Sequence, residues 1–190
     1  MEKSSTFDLA MNTQRIPSID PGTATGTNKK FFDMLQSALG VIPNMTRSMA
    51  QSPAVLEGYM SLSGALSKGS LGKKLGEELA LSLAVTNRCD YCASAHTVLG
   101  KFAGLSEIQI DAALKGSAKE VKDAAALKFA NVIVEKRGRI SDTDFKAVTD
   151  AGFTPGEASE IVAHVALNVF TNYFNNVAAT EIDFPKVTVA

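Results

Sequence analysis

The chain has no tryptophan, only two cysteines and two histidines, and a modest 7% of aromatic residues in 190 positions. Two cysteines three positions apart cannot build the spread-out disulfide framework that staples small secreted domains. In a reducing compartment such a pair suggests redox chemistry or metal binding. Net charge is nearly absent as well. Lys and Arg number 19 against 20 Asp and Glu, and no basic run appears, so the electrostatic footprint expected for nucleic acid or an anionic membrane is missing. No hydrophobic run is long enough to cross a bilayer: the longest, Ile161 to Phe170, is interrupted by His164 and Asn168. The start, Met1-Glu2-Lys3-Ser4-Ser5-Thr6, lacks the apolar stretch of a secretory signal. Cytoplasmic residence is the expectation.

What is present is an ordinary globular composition, 45% hydrophobic and 21% charged. A chain of this length buries roughly two-thirds of its unfolded surface, enough for one self-sufficient core. A single domain over residues 1–190 is expected, with an arm or loop over 1–28, a helical core over 29–178 and a short tail over 179–190. The arm is assigned from Pro17, Pro21 and Gly22 among Ser, Thr and Asn, without apolar periodicity. From Lys29 the spacing of Phe31, Phe32, Leu35 and Leu39 predicts a helix that stops at Gly40. Pro43 and Ser52-Pro53 mark the next starts.

The densely apolar stretch from Leu71 to Val85 predicts a central buried helix, followed by a second one capped by Asn87 and running through the cysteines towards Ala103. Three capping boxes are expected, in Ser106 with Gln109, Ser117 with Glu120, and Thr154 with Glu157. The last helix is predicted over about Pro155 to Ala178. No β-alternation stands out except in the tail, and the fold class is all-α.

Chemistry concentrates in Cys89-Asp90-Tyr91-Cys92-Ala93-Ser94-Ala95-His96. On a helix, steps of about 100° put Cys92 about 60° and His96 about 20° from Cys89, so the three share one stripe. Cys92 and His96 stand at i and i+4, the spacing at which helical side chains meet. A first-turn Cys89 is near free amides and the positive end of the helix dipole, which favour thiolate. One thiolate can cleave a peroxide and a second thiol can convert the resulting sulfenic acid to a disulfide. Histidine, with an unperturbed pKa of about 6.5, suits the proton transfers. Glu77 and Glu78 interrupt the preceding apolar helix, and either carboxylate is a candidate to orient the imidazole.

Glu77, followed twelve positions later by Cys89-x-x-Cys92-x-x-x-His96, resembles the signature of the alkylhydroperoxidase D and carboxymuconolactone decarboxylase superfamily. The resemblance extends through Arg15-Ile16-Pro17, Ile42-Pro43-Asn44 with Ser52-Pro53, and Asn175-Asn176 leading to Asp183-Phe184-Pro185, features of its peroxidase-related branch. It implies an all-helical subunit in a homo-oligomer, and a Glu77–His96 relay that activates the cysteine pair. It also implies a small-molecule peroxide substrate, no bound cofactor and an external thiol reductant. The resemblance gives Cys92 the peroxide-attacking role and Cys89 the resolving one, whereas the dipole argument favours Cys89 as the lower-pKa sulfur.

Other readings of these residues remain open. Cys89, Cys92, His96 and His164 together make a Cys2His2 zinc set, although His164 is about 70 residues away in an apolar helix, where a core histidine is expected. A disulfide-sensitive sensor without turnover belongs to a different class, and a lactone decarboxylase is the third; decarboxylation has no need of two adjacent thiols. Tyr91 is a packing residue or lines a pocket. The stripe Ile161, Val165, Val169 and Tyr173 reads as core or subunit interface, and Asn168 and Asn172 as inter-helix hydrogen bonders.

Overall fold

A computed structural model describes residues 14–189. The first thirteen residues of the predicted arm, and Ala190, lie outside the described residues. The described residues form nine α-helices and no strand, an all-α architecture. The helices are α1 (Gly26–Leu39), α2 (Asn44–Met49), α3 (Pro53–Leu66), α4 (Gly72–Thr86), α5 (Asp90–Phe102), α6 (Glu107–Leu114), α7 (Val121–Glu135), α8 (Asp142–Asp150) and α9 (Pro155–Ala178). A single 3-10 turn, Pro21–Thr23, precedes α1.

Helix α4 is the axis of the molecule because its apolar residues cover most of its circumference. Leu79, Leu81, Leu83 and Ala84 are completely buried. They pack against α5, α6, α7 and α9. Each such leucine contributes about 1.5–3 kcal/mol of burial free energy. Two apolar clusters result. One joins α4 to α6, α7, α8 and α9 through Ile110, Leu127, Phe129, Val148 and Ile161. The other gathers Phe31, Phe32, Met45, Met49 and Leu56 around the start of α5, with Ile182 and Phe184 of the tail packed on it.

The chain ends of the described region are tied to this body by hydrogen bonds. Arg15 reaches the open carbonyls at the end of α9: its amide donates to Ala178 at 2.6 Å and its guanidinium to Asn176 and Val177 at 3.2 and 2.9 Å. That satisfies acceptors a helix terminus otherwise leaves to water. The Asn44 amide donates to Asp183 at 2.8 Å, which draws the tail over the start of α2. Val187 and Val189 then bind Ser94 and Asp90 of α5 through their amides.

Local signals placed most boundaries. The boxes at Ser106–Gln109 and Thr154–Glu157 form as expected, and a third closes at Ser141–Asp144, a pair the sequence reading passed over. The Ser117–Glu120 box does not form. Glu120 itself precedes the first helical residue, Val121, because Gly116 takes a left-handed φ of 67° and Ser117 returns its amide to Ala112 instead of opening a helix. Helix α1 starts at Gly26, three residues inside the predicted arm. Asn87 does not cap α5: it ends α4, and Cys89 occupies the N-cap. The predicted stripe on α9 divides, with Ile161 and Val165 buried and Tyr173 53% exposed.

Glu78 is the anomaly of the core. It is buried between α4 and the start of α7, and its Oε2 has no hydrogen-bond partner. Burial, then the nearby charge of Asp123, pushes its carboxyl up to about 7. Because the folded value lies above the unfolded one, near 4.5, the folded state binds the extra proton. Stability is therefore lost as pH rises from about 4.5 to about 7, and the loss persists above that. Glu78→Gln, which carries no titrating charge, is expected to raise the Tm by roughly 2–6 °C at pH 8 and to leave it little changed at pH 4. Thermal melts followed by circular dichroism across this range check it; wild-type and variant curves running parallel would remove Glu78 as the cause.

Candidate active site

The site is built at the junction of α4 and α5. Asn87 ends α4, and Arg88 adopts a left-handed φ of 52°, which reverses the chain in a single step. The Cys89 amide then donates back to Ala84 at 2.8 Å. Cys89 is extended (φ −109°) and acts as N-cap, its Sγ accepting from the Cys92 amide at 3.2 Å. An N-cap side chain normally presents oxygen to this amide. Here sulfur takes that place, and it thereby sits at the positive end of the α5 dipole.

Cys89 and Cys92 are joined as a disulfide, with Cα atoms 5.3 Å apart. Their surroundings differ. Both are buried, but Cys92 lines a cavity of about 400 Å³ with predominantly apolar walls, whereas Cys89 lies behind it and is not part of the lining. His96, one turn further along α5, lines the same cavity. Its Nδ1 is 2.7 Å from Glu77 Oε2, and the two side chains are 24% and 22% exposed. A carboxylate on Nδ1 orients the ring and leaves Nε2 for chemistry. Neighbouring positions on α4 are about 100° apart, which separates the two glutamates: Glu77 meets the cavity and Glu78 enters the core beside α7. The structure thus brings Glu77, His96 and Cys92 around one cavity, with Cys89 attached from behind.

Three further residues belong to the site and were missed, or read otherwise, in the sequence. His164, expected as a core residue, lines the cavity from α9. It lies close to α4 because Gly76 has no side chain: a Cβ there would stand 3.3 Å from His164 Cε1. Burial pushes its imidazole below the ordinary range, against the opposing pull of Glu160 and Glu77. A glycine inside an otherwise strong helix, paired with a histidine in an apolar one, was the available signal. Among the described residues, no cluster of three or more His, Cys, Asp or Glu side chains converges as metal ligands would.

Asn175 was legible only through the family-like Asn-Asn pair. Its Nδ2 donates to Cys92 Sγ at 3.3 Å and to Met45 Sδ at 3.2 Å. Tyr59, from α3, stands in the cavity wall, its phenol pushed up by burial against a hydrogen bond to Ser63.

Tyr91, between the cysteines, is a wall residue rather than a proton donor. Burial, reinforced by the charge of Asp183, pushes its phenol far up; its oxygen accepts from the Met45 amide at 3.1 Å, and its ring meets Phe184 edge-on at 5.8 Å. Of the two asparagines predicted to bridge helices, Asn172 does so, accepting from Asn87 Nδ2 at 2.9 Å. Asn168 instead bonds the His164 carbonyl of its own helix.

Comparison with known proteins places this geometry. The model of the carboxymuconolactone decarboxylase family matches residues 53–135, a span that holds Glu77, both cysteines and His96. No curated protein matches the sequence. Among solved structures, an alkylhydroperoxidase AhpD core, an uncharacterised peroxidase-related protein from Ralstonia eutropha JMP134, superposes with a TM-score of 0.82 at 22% identity, covering 90% of this chain and 92% of its own. A peroxidase-related protein from Silicibacter sp. TM1040 gives 0.77 at 19% identity over 90% and 94%. The debrominase Bmp8 gives 0.72 at 18% over 92% and 94%. At these identities the likeness establishes the fold. Residues 53–135 therefore match the model of the carboxymuconolactone decarboxylase family, within a chain whose all-helical fold is that of AhpD-like peroxidase-related proteins.

Proposed function

We propose that the protein is a thiol-dependent peroxidase that reduces alkyl hydroperoxides, with hydrogen peroxide as a smaller second substrate. The observation that carries this reading is the asymmetry of the cysteine pair. Cys92 opens on an apolar cavity shared with the His96–Glu77 pair, while Cys89 stands behind it within disulfide reach.

In the reduced state His96 takes the Cys92 proton, and the thiolate attacks the terminal oxygen of ROOH. The O–O bond breaks, leaving a sulfenic acid on Cys92 and an alkoxide that recovers the proton from His96 as ROH. Cys89 then loses its proton and attacks the Cys92 sulfur; the hydroxyl leaves with that proton as water and the disulfide closes. Two thiols and ROOH become a disulfide, ROH and H2O. An external thiol must reopen the disulfide by exchange, entering through the cavity because Cys89 is completely buried. The walls, with Leu99 and Leu167 among them, suit an apolar R group. Cytoplasmic residence and assembly as a homo-oligomer belong to the same proposal. In α9, Val162, Phe170, Tyr173 and Val177 leave apolar surface for another copy to cover.

Three outcomes are expected. One equivalent of cumene hydroperoxide should remove two hydrogens from the reduced protein, mapped by mass spectrometry to the peptide holding Cys89 and Cys92, and either Cys→Ser change should abolish turnover. Undiminished turnover in both variants would overturn the reading. Glu77→Gln leaves the cysteines in place but removes the charge that supports the His96 imidazolium; kcat/KM should fall about 10–100-fold, measured by coupled peroxide consumption. Leu99→Trp narrows the cavity and should raise KM for cumene hydroperoxide about tenfold, a loss of roughly 1.4 kcal/mol in binding. Its effect on hydrogen peroxide should be much smaller, and an equal effect on both would show that the cavity does not hold the R group.

A further inference from the structure

Asn175 has an arrangement that packing alone does not explain. It is buried near the C-terminal end of α9, and its amide nitrogen points at two sulfurs, Cys92 Sγ at 3.3 Å and Met45 Sδ at 3.2 Å. Its carbonyl oxygen is buried without a hydrogen-bond partner. Disulfide and thioether sulfurs are weak acceptors. An amide that spends its donors on sulfur and leaves its acceptor empty is disfavoured relative to one that is satisfied. An apolar side chain of the same size would pack there at less cost.

The arrangement becomes favourable in a different state of the pair. When the disulfide is reduced and Cys92 ionises, its sulfur carries a full negative charge and becomes a strong acceptor. Hydrogen bonds to charged groups are worth roughly twice those to neutral ones. The Asn175 amide is then pre-aimed at the thiolate, with its carbonyl oxygen on the other end of the dipole.

The two sulfurs compete for that charge. Cys89 has the N-terminus of α5 and the Cys92 amide. Cys92 shares its cavity with His96 on its own helix, Glu77 and Lys73 from α4, Tyr59 from α3 and His164 from α9, while Asp183 of the tail stands beside neighbouring Tyr91. Asn175 is uncharged and does not titrate, so its influence has one sign at every pH. Its donor reaches Cys92, and no hydrogen bond joins it to Cys89.

We propose that Asn175 is a positioning residue that makes Cys92, rather than Cys89, the thiolate of the reduced pair. The assignment rests on the peroxidase reading only for its use: it decides which sulfur meets the peroxide, but the ionisation itself needs no peroxide.

The test uses the full chain, reduced and then alkylated with limiting iodoacetamide at a series of pH values. Fragment mass spectrometry reports the extent of reaction at each cysteine. In the wild type Cys92 should react before Cys89. Asn175→Leu keeps the volume and removes the donor; it should raise the pH midpoint for Cys92 alkylation by about one unit and move first reaction towards Cys89. Asn175→Asp nearly keeps the shape and sets a carboxylate against the sulfur, so it should raise the midpoint at least as far, and it carries the test if the leucine variant does not fold. A midpoint unchanged in a folded variant, or a wild type that alkylates first at Cys89, overturns the proposal. If hydroperoxide fails to oxidise the wild type while the midpoints shift as stated, the peroxidase reading falls and the role of Asn175 stands.

Discussion

The packing of α4 against α5 is the constraint on which the rest of the structure depends. The two helices are joined by only three residues, Asn87 to Cys89, and the left-handed step at Arg88 turns the second back along the first. That return brings position 77 against position 96, nineteen residues later, at 2.7 Å. The same turn leaves Cys89 extended while Cys92 is helical, and this difference lets sulfurs three residues apart meet across the first turn of α5. The Glu77–His96 contact and the Cys89–Cys92 disulfide therefore come from one local event, anchored by the burial of Leu79, Leu81 and Leu83.

The cavity has a different origin. It is walled in part by the second apolar cluster, through Met45, Tyr91, Cys92 and Ala95, and bordered by α4 and α5, with α3 and α9 contributing Tyr59 and His164. The tail adds Phe184 to its wall, held in place by the bond from Asn44 to Asp183, while Arg15 secures the end of α9 close to Asn175. The family-like flanks Arg15-Ile16-Pro17, Ile42-Pro43-Asn44 and Asp183-Phe184-Pro185 thus carry no reacting group. They tie the ends of the described chain to the elements that form the cavity.

Polar groups in this interior are few, and their placement divides them by task. Glu77 is paired and partly open to the cavity; Glu78, its neighbour, is sealed against α7 with an unpartnered oxygen and a carboxyl pushed towards neutrality. Low dielectric raises the cost of any unsatisfied group. Glu78 and Asn175 both carry such a cost, but only Asn175 points its donor at a sulfur of the cysteine pair, Cys92 Sγ. Burial favours the neutral form of His164, which adds a polar edge to a largely apolar cavity.

The sequence by itself determined what depends on short-range physics. Helix class, the extent of α9, the caps at Ser106 and Thr154, and the sharing of a helix by Cys92 and His96 follow from periodicity and capping within a few residues. The choice of Glu77 over Glu78 was legible only through the resemblance, whose signature sets the acid twelve positions before Cys89. Where two local signals competed, reading by pattern failed: Asn87 and Cys89 both precede α5, and only the return of the Cys89 amide to Ala84 decides which is the cap. Ser117 could open a helix by its chemistry, but the left-handed turn at Gly116 had already committed its amide to the end of α6. The tertiary structure alone decided which sulfur faces the cavity, because that depends on what α9 and the tail leave uncovered. It alone placed Asn175 on Cys92, 83 residues away in the chain, and His164 beside Gly76. No local periodicity contains those contacts, since they exist only once separate helices have buried their apolar faces against one another.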